Sequence, residues 1–252
     1  MMKVHEYING CMNIKVSQYI YDLLSYDSYN YGFRKSDKVN ISGFLNELIP
    51  RLTEIREEAY SSFLKYNDND SVITKKVEET IYNVYLKMLD LDEKNNINIP
   101  FRISKKSKDK FIYIEDIVLA KYNTDFTNYV RSLLMEYSLK TNIKRELCYY
   151  HNDILKLKNA IKNHQIIRIY LSDNDSIEFT PISIEQCYLK DNNYLVGIIN
   201  SLDEPYFYEF KEIKKISYLD KNIVVTDNMI EKAMNYYTSI IIDENPDYLP
   251  GI

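Results

Sequence analysis

Apolar and polar positions follow the same order twice along the first half of the chain, in two stretches about 85 residues apart. Each stretch begins with a short strand of alternating polarity. Each ends with a helix whose apolar residues recur at helical spacing after a capping residue. The apolar positions of these second helices correspond in pairs: Phe44 with Tyr129, Leu45 with Val130, Leu48 with Leu133, and Ile49 with Leu134. One strand and two helices cannot bury their apolar faces alone, so we expect the two copies to pack together.

The two short strands predict an exposed polar face. Ile14 and Val16 alternate with polar residues in the first strand, and Ile99, Phe101 and Ile103 do so in the second, over Ile99–Ser104. The polar positions that should face solvent are Asn13, Lys15, Ser17, Arg102 and Ser104. Pro100 cannot donate a ladder hydrogen bond and is therefore restricted to an edge or an end. A ribbon made of these two strands has only edges, so it accommodates the proline.

Helical patterns fill the rest of the first half. A helix is expected over Tyr19–Tyr26, and Asn40 or Ser42 would cap the next one, with Pro50 within or near its end. Residues 53–90 predict two further helices with a break at residues 67–70. This connector is expected to brace the two copies.

The repeated unit resembles the ribbon-helix-helix fold, in which two strands pair antiparallel and present side chains to nucleic acid. A ribbon of this kind fits the major groove of B-DNA, where Lys and Arg read guanine and Asn reads adenine. The helix N-termini near Ser42 and Thr127 would offer backbone N–H groups to phosphates. The alternative is a solvated face on a module used only for assembly.

Overall charge argues against a protein that coats nucleic acid non-specifically, since the net charge is −5 and the pI is about 5.4. Local clustering matters more for phosphate binding than the total. Only Asp109 interrupts a basic run made of Arg102, Lys105, Lys106, Lys108 and Lys110. This run could follow a phosphate backbone, or it could be an ordinary solvated face.

The second half changes to a β pattern. After a turn at Thr141–Glu146 and a helix over Tyr149–Asn163, short strands separated by turn residues extend from Gln165 to Leu219. They predict a small, strongly bent sheet, followed by a helix from Asp227 to Tyr237 and an acidic tail.

This second half resembles a WYL domain, a small Sm-like β-barrel of bacterial and phage regulators. The resemblance rests on the order and spacing of Leu157–Tyr170, Thr180–Ile182, Asn193–Gly197 and Tyr208–Ile213, with Lys144–Glu146 as the entry segment. Asn193 stands where the family has its Trp. The resemblance implies a pocket for a nucleotide or a nucleic-acid end around Arg168, Tyr170, Tyr194 and Lys211. Aromatic rings next to cations can stack a base and hold a phosphate. Alternatively, Tyr170 and Tyr194 are core residues.

Other chemistry finds little support in the sequence. Cys11, Cys148 and Cys187 match neither a disulfide framework nor a zinc site, and the three histidines lack metal-ligand spacing. We find no phosphate loop and no nucleophile motif, so we expect no enzyme activity, no metal and no cofactor. No apolar run reaches membrane-span length, so we expect a cytoplasmic protein with no membrane partner.

We therefore predict an α+β protein, with a mostly helical double ribbon-helix-helix unit followed by a small Sm-like β-barrel (WYL) domain. The expected boundaries are 1–140 for the repeats and their connector, 141–164 for a linker helix, 165–221 for the barrel and 222–252 for the C-terminal helix and tail. Proteins that combine these parts are transcriptional regulators. Similar chains are accessory proteins of type VI-D CRISPR systems, which bind single-stranded RNA and stimulate an RNA-guided nuclease. The expected partner is DNA or single-stranded RNA. The sequence leaves open whether the protein forms a homodimer. The third hypothesis is a module that serves only for assembly and binds no nucleic acid.

Overall fold

The computed structural model describes residues 11–36, 38–66, 71–91, 96–122, 124–171 and 175–244. The chain divides into two compact units, Met1–Thr141 and Asn142–Ile252. Helices and strands both contribute, and the second unit contains a five-stranded antiparallel sheet. The predicted break at residues 67–70 and most of the acidic tail lie outside the described residues.

The first unit contains two copies of a strand followed by two helices. Its elements are β1 (Met12–Ser17), α1 (Gln18–Asn30), a small hairpin of β2 (Arg34–Lys35) and β3 (Lys38–Val39), α2 (Ile41–Tyr66), α3 (Ser71–Leu91), β4 (Asn96–Phe101), α4 (Lys108–Lys121) and α5 (Phe126–Ser138). β1 and β4 pair antiparallel, with Asn13 opposite Pro100 and Lys15 opposite Asn98. The predicted pairing of the two strands is confirmed.

Both copies start their second helix in the same way. The Gly43 N–H donates to Asn40 Oδ1 at 2.9 Å, and the Asn128 N–H donates to Asp125 Oδ1 at 2.8 Å. These side chains satisfy N–H groups that the first helical turn leaves without an intrahelical partner. The four predicted pairs of apolar residues on these helices are all at most 1% exposed, so the two copies share one core.

Two boundaries in the first unit differ from the prediction. β4 covers Asn96–Phe101 and not Ile99–Ser104, so Arg102 and Ser104 lie just beyond its end. Asn96–Asn98, which precede the predicted strand, belong to it because they pair with the second half of β1. α2 is one helix of 26 residues with Pro50 inside it. The burial of its apolar face on both sides of Pro50 outweighs the loss of one helical hydrogen bond.

The second unit begins with two helices and continues with the sheet. Its elements are α6 (Asn142–Tyr149), α7 (His151–Lys162), β5 (Gln165–Tyr170), β6 (Ser176–Cys187), β7 (Asn192–Ile199), β8 (Glu204–Glu209), β9 (Lys215–Asn222) and α8 (Asp227–Glu244). The strand order is β8-β7-β6-β5-β9, and the β6–β7 register shifts between Pro181 and Ser183. The predicted turn at Thr141–Glu146 is wrong, since α6 begins at Asn142 and continues to Tyr149.

The sheet is not closed into a barrel, which corrects the sequence prediction. One face packs against α7, with Leu157 and Ala160 in contact with Ile167, Phe179 and Leu195. The other face packs against α8, where residues of β7 meet Ala233, Tyr237 and Ile241. A small barrel has one apolar interior. This sheet buries apolar side chains on both faces against helices, so it remains open.

Asn193, which stands where a WYL domain would have its Trp, is a polar anchor in this chain. Asn193 is fully buried, and its backbone N–H and side-chain amide both donate to the Glu146 carboxylate on α6. Its amide also donates to the Ile143 carbonyl at 3.0 Å. Burial raises the pKa of Glu146, although the Asn193 donors oppose this shift. These bonds fasten α6 to the sheet.

Candidate nucleic-acid interface

The ribbon formed by β1 and β4 has one buried and one exposed face. Ile14 and Val16 are fully buried on β1, and Ile99 and Phe101 are at most 2% exposed on β4. The exposed side chains are Cys11, Asn13 and Lys15 from the first copy and Asn98, Pro100 and Arg102 from the second. We call these six residues the ribbon face.

Lys15 and Arg102 occupy equivalent places on the ribbon face. Each follows the central pair, Asn13 and Pro100, by two residues. Lys15 lies opposite Asn98, and Arg102 follows Asn98 by four residues. At about 3.3 Å per residue, the two cations stand about 13 Å apart along the ribbon. This spacing places one cation near each end of the ribbon face.

Two serines predicted to face a ligand act as helix caps. Ser17 is only 5% exposed, and its Oγ accepts a hydrogen bond from the Ile20 N–H at the start of α1. Ser104 is exposed, but its Oγ accepts from the Ser107 N–H in the 3-10 turn before α4. The prediction of an exposed Ser17 is wrong, because the strand ends there and the helix needs an N-cap.

Each second helix reaches across to the strand of the other copy. On α2, the Asn46 amide donates to the Arg102 carbonyl at 2.9 Å, and its Oδ1 accepts from the Ser104 N–H at 2.8 Å. On α5, Arg131 Nε donates to the Lys15 carbonyl at 2.9 Å. The backbones that carry the two ribbon cations are therefore held by equivalent contacts from opposite copies. Sequence reasoning missed Asn46 and Arg131, because nothing local reveals partners this distant.

Replacing Asn46 by alanine is expected to destabilise the first unit by about 2 kcal/mol. Asn46 is buried, so the change leaves the Arg102 carbonyl and the Ser104 N–H without this partner, at about 1 kcal/mol each. Urea unfolding measures the loss. Asn83→Ala, at an exposed position on α3, is the control and should stay within about 0.5 kcal/mol of the unchanged protein. Equal stability of the two variants would contradict the bridging role.

Basic side chains continue from one end of the ribbon face. Lys105 and Lys106 are exposed on the 3-10 turn, Lys110 is exposed on α4 and Lys108 is half-buried. Within the described residues, none of these four ammonium groups forms an ion pair. The ribbon face and these lysines form one basic surface.

The two helix N-termini predicted to meet phosphates differ in charge. The cap of α2 is Asn40, which is neutral, whereas the cap of α5 is Asp125, whose carboxylate also accepts from the Asn128 amide. At the start of α2, the Ser42 hydroxyl accepts from the Arg102 N–H at 3.1 Å. A carboxylate at the N-terminus of α5 repels an anion, so the α2 end is the better place for a phosphate.

In the second unit, the four predicted pocket residues form two pairs, Arg168 with Tyr170 on β5 and Tyr194 with Lys211 at the Glu209 carboxylate. Arg168 and Tyr170 lie on β5 and hydrogen-bond each other. Arg168 also pairs with Glu178 at 2.7 Å on β6. A hydrogen bond with Ser217 lowers the pKa of Tyr170, with a further contribution from Arg168. These groups form a partly exposed polar cluster on the sheet.

Tyr194 and Lys211 have different surroundings. Tyr194 is 1% exposed and packs against Phe207 and Tyr237, so the alternative that it is a core residue is the correct one. Its hydroxyl donates to Glu209 Oε1 at 3.3 Å, and burial raises its pKa. Lys211 is exposed in a 3-10 turn after β8 and forms an ion pair with the other oxygen of Glu209.

The remaining sequence expectations concern cysteines, metals and membranes. All three cysteines are free thiols, and Cys148 and Cys187 are buried. Among the described residues, no group of His, Cys, Asp or Glu could hold a metal ion. In the same part of the chain, no helix combines the length and apolarity needed to cross a bilayer.

Comparison with known proteins identifies a solved structure of similar fold but no matching protein family. No protein-family model matches the chain. The uncharacterized protein MJ1519 of Methanocaldococcus jannaschii is 29% identical over 123 residues, which are 48% of this chain and 9% of that protein. The chain therefore spans a small fraction of this relative's length.

Two solved structures also align with this chain, to different extents. Proteasome accessory factor B/C (PafBC) of Arthrobacter aurescens aligns over 50% of this chain and 22% of that one, with 11% identity and a TM-score of 0.28. A crystal structure of a CRISPR Cas-related protein aligns over 95% of this chain and 72% of that one, with 16% identity and a TM-score of 0.66. The second alignment shows that this chain shares the fold of the CRISPR Cas-related protein.

Proposed function

We propose that this chain is a nucleic-acid-binding protein with a regulatory or accessory role, and that its ribbon face grips the nucleic acid. In this proposal the first unit is a double ribbon-helix-helix module. The observation that carries it is the pair of exposed cations, Lys15 and Arg102, at equivalent positions of one ribbon and held by contacts from opposite copies. A face used only for assembly would not need two equivalent charges.

Duplex DNA is the first candidate ligand. The major groove is about 12 Å wide and admits a two-stranded ribbon. Lys15 and Arg102 could contact base edges or phosphates, and Asn13 and Asn98 have the amide groups that pair with adenine. Pro100 has no polar side chain, and the basic run flanks only one end of the ribbon. In this proposal the chain is a transcriptional regulator, and the DNA sequence that it recognises should be asymmetric.

Single-stranded RNA is the second candidate, favoured by the shared fold with a CRISPR Cas-related protein. In this reading the chain is an accessory protein that binds RNA and stimulates an RNA-guided nuclease. The second unit would be a divergent WYL domain with an open sheet. Its contact surface would be Arg168, Tyr170 and Lys211, because Tyr194 lies in the core.

Fluorescence anisotropy with labelled duplex DNA and unstructured RNA of equal length tests the proposal. We expect salt-dependent binding to at least one of them, because released counterions drive phosphate binding. Tighter duplex binding with a defined footprint supports the transcriptional role. Tighter RNA binding that is abolished in Arg168→Ala and Lys211→Ala supports the accessory role. No binding at low salt would refute both and leave only the assembly hypothesis.

A further inference from the structure

Three tyrosines are exposed on one side of α1. Tyr19, Tyr26 and Tyr29 are 60%, 56% and 50% exposed. Their spacing of seven and three residues places them on the same face of the helix. They extend over about 15 Å along the helix axis, at about 1.5 Å per residue. We call these three residues the tyrosine face.

Two of these rings are held in place by contacts that leave them exposed. The Tyr19 hydroxyl donates to the Ser138 carbonyl at the end of α5, at 3.3 Å. The guanidinium of Arg34 on β2 lies over the Tyr29 ring, with its carbon 3.6 Å from the ring centre, and it donates to the Tyr29 carbonyl. A ring that is already fixed loses little conformational entropy when a ligand binds, so the tyrosine face is preorganised.

Packing within the fold does not explain the tyrosine face. Ser17 caps α1 and Ser104 caps the turn before α4, so the two copies can be aligned at these serines. Counted from these caps, the equivalent exposed positions are Tyr19 and Lys106, Tyr26 and Tyr113, and Tyr29 and Asp116. The second copy therefore forms the same unit with a lysine and an aspartate where the first copy has two of its tyrosines.

The tyrosine face is suited to bases and not to phosphates. Asp22 is exposed between Tyr19 and Tyr26, and its carboxylate accepts from the Gln18 amide at 2.7 Å. A carboxylate repels a phosphate but not an uncharged base. Bases of any sequence stack on aromatic rings, because every base has a π-face, and they also stack on guanidinium planes such as that of Arg34.

A base must be unpaired and splayed out to stack on a protein side chain, so the matching ligand is a single strand. About four stacked nucleotides, at about 3.4 Å each, have the length of the tyrosine face. A partner protein is a poorer match, because none of the exposed side chains of α1, a helix whose every residue is described, is aliphatic. Tyr19 follows Lys15 by four residues, so the tyrosine face begins beside one end of the ribbon face.

We propose that the tyrosine face binds the unpaired bases of a single-stranded nucleic acid. The bases stack on Tyr19, Tyr26 and Tyr29, and Lys15 contacts a phosphate of the same strand. The opposite end of the ribbon face carries lysines in place of tyrosines and contacts phosphates only. This inference rests on the function proposed above, and it specifies that the bound nucleic acid has a single-stranded segment beside Lys15.

The absence of tryptophan from the chain provides a direct probe of stacking. Tyr26→Trp places one indole on the tyrosine face. Its ligands are oligothymidylate and an abasic oligonucleotide of the same length and charge. We expect saturable quenching of the indole emission by oligothymidylate, and none by the abasic strand at the same concentrations. Tyr113→Trp, at the equivalent exposed position of α4, is the matched control and should be quenched much less.

Fluorescence anisotropy with the labelled strands measures the contribution to affinity. Tyr26→Leu removes the ring and should weaken oligothymidylate binding about fivefold or more, which corresponds to the lower limit of about 1 kcal/mol for one stacked base. Tyr26→Phe keeps the ring, and Tyr113→Leu leaves the tyrosine face intact, so both should bind within about twofold of the unchanged protein. The abasic strand should bind all four proteins equally, and their circular dichroism spectra should agree, since both tyrosines are exposed.

Equal quenching by the two strands, equal quenching of the two tryptophan variants, or equal losses in Tyr26→Leu and Tyr113→Leu would overturn the stacking site. Binding of duplex alone, with a single strand bound no better than its abasic counterpart, would also overturn it and would leave the proposed function standing. A protein that binds neither duplex nor single strand at low salt would refute the proposed function together with this inference.

Discussion

Replacing Lys15 and Arg102 together by alanine is expected to weaken nucleic-acid binding about 30-fold or more, which corresponds to about 2 kcal/mol. Each change removes one exposed cation from the ribbon face, and each cation that binds a base or a phosphate contributes about 1–3 kcal/mol. Because the two positions are equivalent on the ribbon, each single change should account for a similar share. Fluorescence anisotropy over a series of salt concentrations measures both the affinity and the slope against salt.

The salt slope separates direct phosphate binding from a general effect of charge. The slope should fall by about one unit for each phosphate that the variant no longer binds. Lys158→Ala with Lys162→Ala, two exposed lysines of α7, changes the net charge equally and should have little effect in a duplex-binding protein. The stability of the ribbon variant should stay within about 0.5 kcal/mol, because both side chains are exposed. An equal decrease in affinity for the two double variants would show that the ribbon face is not the nucleic-acid-binding surface.

Replacing Gly197 by alanine is expected to destabilise the second unit by about 3 kcal/mol or more. Gly197 lies in β7 opposite Pro181, where two strands approach closely. A Cβ atom at this position would lie 2.1 Å from the Thr180 carbonyl oxygen and 2.7 Å from Cε1 of Phe179. Thr180 and Phe179 are both fully buried. The backbone cannot move aside as a surface side chain could, so the sheet must distort.

Urea unfolding combined with hydrogen exchange of the strand amides measures this effect. Protection of β5 to β9 should fall, whereas the ribbon amides should retain theirs if the two units unfold independently. Ser201→Ala, an exposed change just after β7, is the matched control and should be nearly neutral. If Gly197→Ala unfolds with the same free energy as Ser201→Ala, the close approach of β6 and β7 is not as the structure describes it.

Local patterns were sufficient for much of the first unit. Alternating polarity identified the buried Ile14 and Val16, and the capping residues located the starts of the second helices. The exposure of Lys15 and Arg102 also followed from alternation. Their role as nucleic-acid ligands stays a prediction, because exposure alone identifies no partner.

Errors arose where a residue had two competing local roles. In the alternating pattern of the strand, Ser17 falls on the exposed face. It also lies where α1 begins, and it acts as the N-cap of that helix. Tyr194 fitted the pocket implied by the WYL resemblance, but β7 lies inside the sheet and α8 covers that face. An aromatic side chain satisfies either pattern, and only the packing of a distant helix decides between them.

The sequence by itself determined the repeat, the alternating polarity of its strands and the change to a sheet in the second half. These features depend on interactions among near neighbours, which leave a period in the chain. The tertiary structure alone decided that the sheet stays open, that Asn46 and Arg131 hold the strand of the opposite copy, and that the Tyr19 hydroxyl meets the Ser138 carbonyl. Each of these depends on residues far apart in sequence. Such contacts form when helices pack, and no local periodicity encodes them.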